Sequence, residues 1–332
     1  MIFNNSNPFD TIQQIAGGYC LARCLHAIAD FGVADVLNGE PKTAEEVASA
    51  TQTNPGALRR AVRLLSAYGI FEINDNKISH TPASQLLRKD HPQSMRGFTR
   101  MFSLPINWKA YEDFNEAIRT GEPNVEKVYT GGFWKYFGDH KQESAIFNEA
   151  MADKANAQLY GIMSSYDFSN FKTIGDIGGG RGHLLQAVLH STSGAQGVLF
   201  DLPHVIEDAR KMASDRLTLQ AGDFFKDSLP ACDAYLVMEI IHDWPDAESI
   251  DILRAIRKSA PPQAKLLLIE SIIPDSPDPD WSKMLDIHML TLLGGKQRTT
   301  KEFEALLTEA GFALTQEIDC QVGISILEAS VV

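Results

Sequence analysis

The sequence predicts two parts, a mainly helical first half and an α/β second half built on a mostly parallel sheet. Helical periodicity and helix caps dominate the first half, whereas short apolar strands alternate with helices from about residue 168. A glycine-rich loop at residues 176–182 follows the first of these strands and leads into an amphipathic helix. Glycine lets the backbone approach a ligand closely, and such a loop at the carboxyl end of a parallel strand marks a nucleotide-sized site.

The composition argues against several classes of protein. The 332 residues carry a net charge of −13, whereas a nucleic-acid-binding protein normally has a basic surface. No stretch is long and apolar enough to span a bilayer, and the N-terminus lacks the pattern of a signal peptide. We therefore expect a cytoplasmic protein with no nucleic-acid or membrane partner.

The cysteines lack the spacing of a metal site, and no histidine cluster completes one. They are Cys20, Cys24, Cys232 and Cys320. We expect reduced thiols, as is usual in the cytosol, and no bound metal.

The first 95 residues have the element order of a winged helix. A helix is predicted over residues 10–31, interrupted only by Gly17-Gly18. The capping box that starts at Thr43 begins a second helix, and Asn54-Pro55 begins a third that ends near Gly69. Residues 70–80 then have the pattern of a hairpin around an Asn-Asp-Asn turn.

This winged-helix part has two possible uses. Arg59, Arg60 and Arg63 lie on the helix that would read DNA, yet the first hundred residues balance acids against bases, so no phosphate-binding field is evident. We therefore expect residues 1–95 to form a homodimer rather than to bind DNA. Residues 96–167 are predicted as a helical, aromatic-rich linker region that contributes to the substrate pocket.

Residues 168–332 are predicted to form the α/β domain. Parallel strands are expected at residues 172–176, 197–201, 217–222, 233–241 and 264–270. Helices follow at residues 283–293 and from the capping box at Thr299 to Gly311. The last two strands, 312–319 and 323–330, are close enough in sequence to pair antiparallel.

Each of the five parallel strands is followed by or ends in a polar residue. In order these are Asp176, Asp201, Asp223, His242 and Glu270. In an open α/β sheet the ligand crevice lies outside the carboxyl ends of the strands. Five polar ends in succession therefore predict a lined site.

The glycine loop departs from the dinucleotide fingerprint, which requires a third glycine where this chain has His183. This difference disfavours an NAD-dependent reductase. Asp-x-Gly-x-Gly-x-Gly instead resembles the first motif of class I methyltransferases that bind S-adenosylmethionine. Four further segments extend the resemblance: Phe200-Asp201-Leu202-Pro203-His204-Val205, Gly222-Asp223-Phe224-Phe225, His242-Asp243-Trp244 and Gly294-Gly295-Lys296-Gln297-Arg298-Thr299.

In this order and spacing the segments resemble plant caffeate-type and bacterial natural-product and hydroxyindole-type O-methyltransferases. The similarity covers nearly the whole chain. It implies a Rossmann-like class I methyltransferase fold, mostly parallel with an antiparallel last strand, after a winged-helix-like dimerisation domain. It also implies an enzyme that uses S-adenosylmethionine to methylate a hydroxyl of a small, aromatic metabolite without a metal.

The resemblance implies a set of cofactor-binding residues. Asp201 suits the ribose, and Asp223 with Phe224 suits the adenine. Met238 stands where plant members have a lysine that helps to hold the cofactor. The full set is Asp176, Gly178, Gly180, Asp201, Leu202, Asp223, Phe224 and Met238.

The resemblance also assigns His242 as the general base, and imidazole is well matched to take a phenol proton. Glu270 would orient the imidazole and stabilise the imidazolium. Gln297 stands where the family often has a second glutamate; an amide can hold the ring but adds no negative charge, so a less basic His242 is expected. The acceptor pocket would contain Phe147, Met151, His288 and Met289, which are equally consistent with core positions.

Three alternatives remain open at this point. A relative with the same fold and cofactor could carry out N- or C-methylation or hydroxylation. His288 could act as the base or orient the substrate. From another class, a winged-helix regulator could sense a nucleotide-like ligand.

Overall fold

The computed structural model describes residues 7–332, so the expectation about a signal peptide and the first six residues of the predicted dimerisation domain lie outside the described part. Within it the chain forms two compact units. The first contains the chain up to Trp108 together with Tyr136–Lys154, and the second contains Lys109–Lys135 and Ala155–Val332.

The first unit has the predicted winged-helix order. Its helices are α1 (Pro8–Asp30), α2 (Val33–Leu37), α3 (Ala44–Thr51), α4 (Pro55–Ser66), α5 (Pro82–Gln85) and α6 (Arg96–Met101). Its strands β1 (Lys42–Thr43), β2 (Phe71–Asn74) and β3 (Lys77–His80) form a small antiparallel sheet in the order β1-β3-β2.

The helix ends of this unit follow from the predicted caps. Thr43 and Glu46 make both hydrogen bonds of a capping box at the start of α3. The side chain of Asn54 accepts from the backbone N–H of Ala57 at the start of α4. Contrary to the expected interruption, α1 continues through Gly17-Gly18.

A small core holds this arrangement together. It is made by the buried faces of the helices and the hairpin, including Val33, Leu37, Val47, Val62, Leu65, Phe71 and Ile78. The hydrophobic effect of burying these side chains stabilises the helix-turn-helix against the wing.

Five further helices connect the winged helix to the sheet of the second unit. They are α7 (Pro105–Tyr111), α8 (Phe114–Thr120), α9 (Val125–Val128), α10 (Gly132–Asp139) and α11 (Lys141–Ser165). The boundary between the two units falls within α7, α10 and α11.

The second unit contains the predicted sheet. Its strands are β4 (Thr173–Ile177), β5 (Gln196–Asp201), β6 (Leu217–Ala221), β7 (Ala234–Met238), β8 (Lys265–Glu270), β9 (Phe312–Asp319) and β10 (Ser325–Val331). Among the described residues they pair in the order β6-β5-β4-β7-β8-β10-β9. The first five are parallel, and β10 lies antiparallel between β8 and β9, as the final hairpin predicted.

The helices of this unit that follow β4 are α12 (His183–Ser191), α13 (Pro203–Ala209), α14 (Asp246–Ser259), α15 (Trp281–Leu292) and α16 (Thr300–Glu309). Residues of α12 and α13 join the hydrophobic cluster on one face of the sheet, and residues of α14 and α16 join the cluster on the other. Alternation along β8 divides its side chains between the two faces: Leu266 and Leu268 join one hydrophobic cluster, and Leu267 and Ile269 join the other. Both faces of the strand are buried, as expected for a mainly parallel sheet.

One strand prediction was wrong at its end. We expected the fourth parallel strand to run to Ile241, but β7 ends at Met238. Glu239 has a φ of 54°, in the left-handed region, so the extended backbone stops there. His242 consequently lies in a separate 3₁₀ turn, Ile241–Asp243.

Two further features concern the chain as a whole. All four cysteines lie among the described residues, and none forms a disulfide. No helix in the described part of the chain is long and apolar enough to cross a membrane.

We predict that Gly161→Ala destabilises the second unit. A Cβ at Gly161, on α11, would lie 2.6 Å from the backbone oxygen of Cys320 and 2.5 Å from a methyl group of Val322. Overpacking of this kind costs about 1–3 kcal/mol, which exceeds the ~1 kcal/mol that alanine gains in helix propensity. A lower melting temperature in thermal denaturation is the expected result.

Gly138→Ala is the matched control, because Gly138 is also helical but a Cβ there would meet no atom within 4 Å. It should leave the melting temperature unchanged or raise it. Equal stability of the Gly161→Ala and wild-type proteins would contradict the close approach of α11 to the loop after β9.

Candidate active site

The glycine loop connects β4 to α12 by repeated left-handed backbone. Gly178, Gly180 and Gly182 have φ values of 71°, 59° and 72°. Residues with a Cβ rarely adopt such values, so each of these glycines is required by the path of the loop. The N–H of Gly178 donates to the carbonyl of Phe200 at 2.8 Å, which ties the loop to β5.

Asp176 lies buried beneath this loop. A Cβ on Gly179 would lie 2.3 Å from the Asp176 carboxyl carbon, so the loop wraps closely around the carboxyl group. Burial, together with the nearby charge of Asp201, raises the pKa of Asp176 to about 7. Among the described residues its Oδ1 atom has no hydrogen-bond partner, so the site contains a buried carboxyl oxygen suited to a positively charged ligand.

Asp201 ends β5 and holds the same loop from the other side. Its Oδ2 accepts from the N–H of Gly180 at 2.8 Å, and its Oδ1 accepts from the N–H of Leu202 at 2.6 Å. Burial raises the pKa of Asp201, and these two N–H donors oppose that rise. Leu202 itself is largely exposed. The structure therefore brings Asp176, Gly180, Asp201 and Leu202 together.

Asp223 lies two residues beyond the end of β6, in a turn stabilised by its own side chain. Its carboxylate accepts from the N–H of Phe225 at 2.9 Å and pairs with Lys226 at 2.6 Å. The half-buried ring of Phe224 lies 6.1 Å from the ring of Trp244, edge to face. Trp244 thus connects the Asp223 turn to the His242 turn, a contact that the sequence did not reveal.

Met238 is the last residue of β7 and is half-buried against the core on one face of the sheet. Since β7 pairs with β4 in parallel, the carboxyl end of β7 and the glycine loop lie at the same edge of the sheet.

His242 and Glu270 form a buried hydrogen-bonded pair. The Nδ1 of His242 lies 2.6 Å from Oε2 of Glu270, and the other carboxylate oxygen, Oε1, accepts from the N–H of Ile241 at 2.9 Å. Glu270 is fully buried and His242 nearly so. A proton on Nδ1 directed at Glu270 leaves the lone pair of Nε2 available to accept a proton.

Two carboxylates that the sequence analysis missed add to the charge around this histidine. Burial lowers the pKa of an imidazole, but the negative charges of Glu270, Asp243 and Glu239 outweigh this effect and raise the pKa of His242 to about 9. Asp243 Oδ1 lies 3.4 Å from Nε2. The expectation of a less basic His242, drawn from the neutral Gln297, took no account of Asp243 and Glu239, which follow or precede His242 closely in sequence.

Gln297 is fully buried but does not make the hydrogen bond to His242 that we expected. Among the described residues neither its amide nitrogen nor its amide oxygen has a partner, and only its backbone N–H is tied, to Asp286 at 2.9 Å. A neighbouring residue does contact the His242 turn: the N–H of Lys296 donates to the carbonyl of His242 at 2.9 Å. The Gln297 amide is thus a buried group suited to pairing with a ligand.

His288 and Met289 are both buried on α15. The Nδ1 of His288 lies 3.4 Å from the hydroxyl of Tyr111, and the two rings stack at 6.1 Å. Burial lowers the pKa of His288 to about 4, so this histidine is neutral and weakly basic near pH 7. Tyr111, the last residue of α7, was not among the site residues predicted from the sequence.

Phe147 and Met151 belong to the first unit, on α11. The ring of Phe147 stacks on that of Phe137 at 4.6 Å. Both residues are only partly buried, so each keeps some surface available to other groups.

Two family models match the chain. One describes an O-methyltransferase domain and matches residues 111–313; the other describes an O-methyltransferase dimerisation domain and matches residues 13–90. Together they cover most of the chain and agree with the division into a winged helix and an α/β domain.

Similar proteins include bacterial biosynthetic methyltransferases. The phenazine O-methyltransferase PhzM of Lysobacter antibioticus is 37% identical over 96% of this chain and 95% of its own length. The mitomycin biosynthesis 6-O-methyltransferase of Streptomyces lavendulae is 32% identical over 95% and 92%, respectively. The 8-amino-8-demethylriboflavin N,N-dimethyltransferase of Streptomyces davaonensis is 36% identical over 88% and 86%.

Solved structures agree in fold. CalO1, a methyltransferase of calicheamicin biosynthesis in its SAH-bound form, superposes with a TM-score of 0.88 at 30% identity, covering 99% of this chain and 100% of its own. NcsB1, an O-methyltransferase from neocarzinostatin biosynthesis in complex with S-adenosylmethionine and 2-hydroxy-5-methyl naphthoic acid, has a TM-score of 0.80 at 28% identity, covering 94% and 96%.

The glycine loop fits S-adenosylmethionine. The buried Asp176 oxygen without a partner among the described residues suits a cofactor that carries positive charge, and a Cβ at Gly180 would meet no atom within 4 Å, so the loop is open there. Nothing in the loop requires a pyrophosphate. The chain therefore belongs to the family of S-adenosylmethionine-dependent small-molecule O-methyltransferases, with an N-terminal dimerisation domain and a class I methyltransferase domain.

Proposed function

We propose that this enzyme methylates a hydroxyl group of a small aromatic metabolite, with His242 as the general base. The observation that carries the proposal is the buried His242–Glu270 pair, with 2.6 Å between Nδ1 and Oε2. An orienting carboxylate on one ring nitrogen leaves the other nitrogen to take the hydroxyl proton. The imidazole supplies the base by itself, so the proposed reaction needs no metal ion.

The proton and the electrons balance in a single displacement. The acceptor hydroxyl gives its proton to Nε2 of His242, and its oxygen forms the new bond to carbon. When bound, S-adenosylmethionine supplies the methyl group on a sulfonium sulfur, which keeps the electron pair of the broken carbon–sulfur bond. Glu270 and Asp243 then stabilise the imidazolium, since both carboxylates face the ring.

We assign the cofactor to the loop side of the site. Asp176, Gly178 and Gly180 would face the methionine part, Asp201 with Leu202 the ribose, and the remaining residues the adenine and the reacting end. These remaining residues are Asp223, Phe224 and Met238. Support comes from the hydrogen bonds that place Asp201 against the glycine loop.

In the second unit, the acceptor would contact His288 and Met289, to which we add Tyr111. Phe147 and Met151, in the first unit, stay proposed acceptor contacts on the ground of the family resemblance. Aromatic rings and thioethers suit a flat ligand. The lowered pKa of His288 favours a neutral hydrogen-bonding role and makes it a poor alternative to His242 as base. The buried amide of Gln297 would pair with a polar group of the acceptor.

N-methylation is the second candidate, because the similar 8-amino-8-demethylriboflavin N,N-dimethyltransferase, 36% identical to this chain, is named for methylation of a nitrogen. A nucleophilic aromatic amine also loses a proton on methylation, so the same base could serve. The two candidates differ in the acceptor atom alone.

We also propose a homodimer formed through the N-terminal unit. The dimerisation model covers residues 13–90. Four large apolar side chains, Phe9, Ile12, Ile15 and Tyr19, are 61–78% exposed on α1, and their spacing places them along one side of that helix. A stripe of this kind on a folded unit is typical of a protein–protein interface.

We expect His242→Ala to abolish turnover. A screen of paired hydroxyarenes and aminoarenes with methyl-labelled S-adenosylmethionine first identifies the acceptor and decides between O- and N-methylation. Loss of the base should then lower kcat by about 10²–10⁴-fold, whereas calorimetric affinity for S-adenosylmethionine should stay nearly unchanged, because the loop residues are untouched.

His190→Ala controls for loss of an imidazole, since His190 is exposed on α12. It should retain wild-type kcat. Wild-type kcat in His242→Ala would refute the base assignment. A large loss of affinity for S-adenosylmethionine in that variant would also refute it.

The activity should rise with pH as His242 loses its proton. Negative charge raises the pKa of His242 to about 9, so the rising limb of kcat/KM should lie above the ordinary range of histidine, near 6.5. Glu270→Gln removes one negative charge and should move this limb to lower pH. It should also lower the plateau by about 10-fold or more, because the ring loses its anchor.

Glu304→Gln is the matched control, because Glu304 is exposed on α16 and far from His242 in sequence. It should alter neither the pH of the rising limb nor the plateau of kcat/KM. A limb that stays in place, or moves to higher pH, in Glu270→Gln would contradict the electrostatic role of Glu270.

Asp201→Ala should weaken cofactor binding by about 1–3 kcal/mol, as expected for the loss of charge-assisted hydrogen bonds. The carboxylate both holds Gly180 and, as proposed, contacts the ribose. Isothermal titration with S-adenosylhomocysteine measures the change. Asp208→Ala is the control: Asp208 is exposed on α13, so the variant removes the same charge without touching the loop. It should leave the affinity for S-adenosylhomocysteine unaltered. Equal affinities for the two variants would show that the ribose does not bind at Asp201.

A further inference from the structure

We propose that Arg298 is a positioning residue for His242, acting through the backbone of the turn that carries it. The inference rests on the proposed role of His242 as base. Nothing in the sequence motif distinguishes Arg298 from a surface cation, yet its side chain is fully buried. A buried guanidinium is stable only where acceptors surround it.

The guanidinium group of Arg298 meets acceptors on three segments. Nη1 donates to the carbonyls of Ile241 and Lys296, each at 3.1 Å. Nη2 donates to the carbonyl of Trp244 at 2.9 Å and to the hydroxyl of Ser249 at 3.3 Å. Nε and Nη2 both donate to Oδ1 of Asp246, at 3.0 and 2.7 Å, which supplies the compensating charge.

Two of these acceptors flank the base. Ile241, immediately before His242, begins the 3₁₀ turn, and Trp244, two residues after His242, caps its end. The Ser249 hydroxyl donates to the same two carbonyls, at 3.3 and 3.2 Å. Arg298 and Ser249 therefore fix the carbonyl side of the turn.

Glu270 fixes the opposite side. It accepts from the N–H of Ile241 and from Nδ1 of His242. Ile241 is thus held through its N–H by one buried charged side chain and through its C=O by another. A turn held at both groups of the same residue has little freedom to rotate, so the imidazole keeps one direction.

Arginine is required here because of its shape. Its planar fork directs several donors at fixed angles, whereas a lysine ammonium is a compact charge on a flexible stem. The substitution Arg298→Lys would keep the charge beside Asp246, but the ammonium could not reach the carbonyls of Ile241, Trp244 and Lys296 together. A displacement of about 1 Å at a reacting group can lower a rate by about 100-fold.

The test compares Arg298→Lys, Arg298→Ala and Arg257→Ala. Arg257 is the matched control, because it also donates to backbone carbonyls, those of Gly311 and Val332, from helix α14. We expect Arg298→Lys to lower kcat by about 10–100-fold with little change in the acceptor KM or in the affinity for S-adenosylhomocysteine. Arg257→Ala should lower only the melting temperature.

Chemical rescue separates positioning from general loss of structure. Guanidinium ion at low millimolar concentration should restore part of the kcat of Arg298→Ala, and it should not raise kcat in Arg257→Ala. A kcat of Arg298→Lys within twofold of wild type, or an Arg298→Ala enzyme that guanidinium fails to rescue, would overturn the inference.

Asp246→Asn gives a second, milder variant if the arginine variants do not fold, because the Asp246 side chain is half exposed. Weakening the partner of Arg298 should lower kcat several-fold with the cofactor affinity retained; an unchanged kcat would count against positioning. The outcome for His242→Ala keeps the two proposals apart. If that variant is active, the base assignment fails, whereas an inactive His242→Ala beside an active Arg298→Lys overturns only the role of Arg298.

Discussion

The buried carboxylate of Glu270 is the constraint on which the candidate site depends. It ends a central strand with no exposed surface, where an unpaired carboxylate would be costly. Both of its oxygens are used, one by the ring of His242 and one by the N–H of Ile241. This one side chain therefore orients the His242 ring through Nδ1, and its charge acts with those of Asp243 and Glu239 to raise the pKa of His242.

The central sheet joins the glycine loop to the turn that carries His242. β4 leads into the glycine loop and β7 leads into the His242 turn, and the two strands are parallel neighbours. Their carboxyl ends therefore lie at one edge. The packing of Phe224 and Phe225 against Trp244 adds a second connection, between the Asp223 turn and the His242 turn.

Much of this arrangement was predictable because it depends on local rules. Capping boxes located the starts of α3 and α16, and apolar runs located the parallel strands. The end of β7 was not predictable, since Glu239 adopts a left-handed φ that residues other than glycine rarely show. The early end also takes Glu239 out of the strand in which it was predicted, and its charge acts with that of Asp243, next to His242 in sequence, on the pKa of His242.

The glutamine at 297 and the arginine at 298 illustrate the limit of motif reading. Side by side in sequence, they have opposite environments: the Gln297 amide lacks partners among the described residues, while Arg298 makes hydrogen bonds on three segments. Burial and partner geometry depend on tertiary packing, and a motif specifies only the order of residues. The family resemblance located this segment but did not indicate which of its side chains holds the turn.

Gly295 limits which substitutions the segment beside His242 can accept. A Cβ there would lie 2.1 Å from the carbonyl oxygen of His242, so the backbone of this segment lies directly against the backbone of the His242 turn. Any side chain at position 295 would push against this turn and disturb the hydrogen bonds that Glu270 and Ser249 make to it. Variation at position 295 is therefore coupled to the orientation of the His242 ring, so a change made there for any other purpose would also alter that ring.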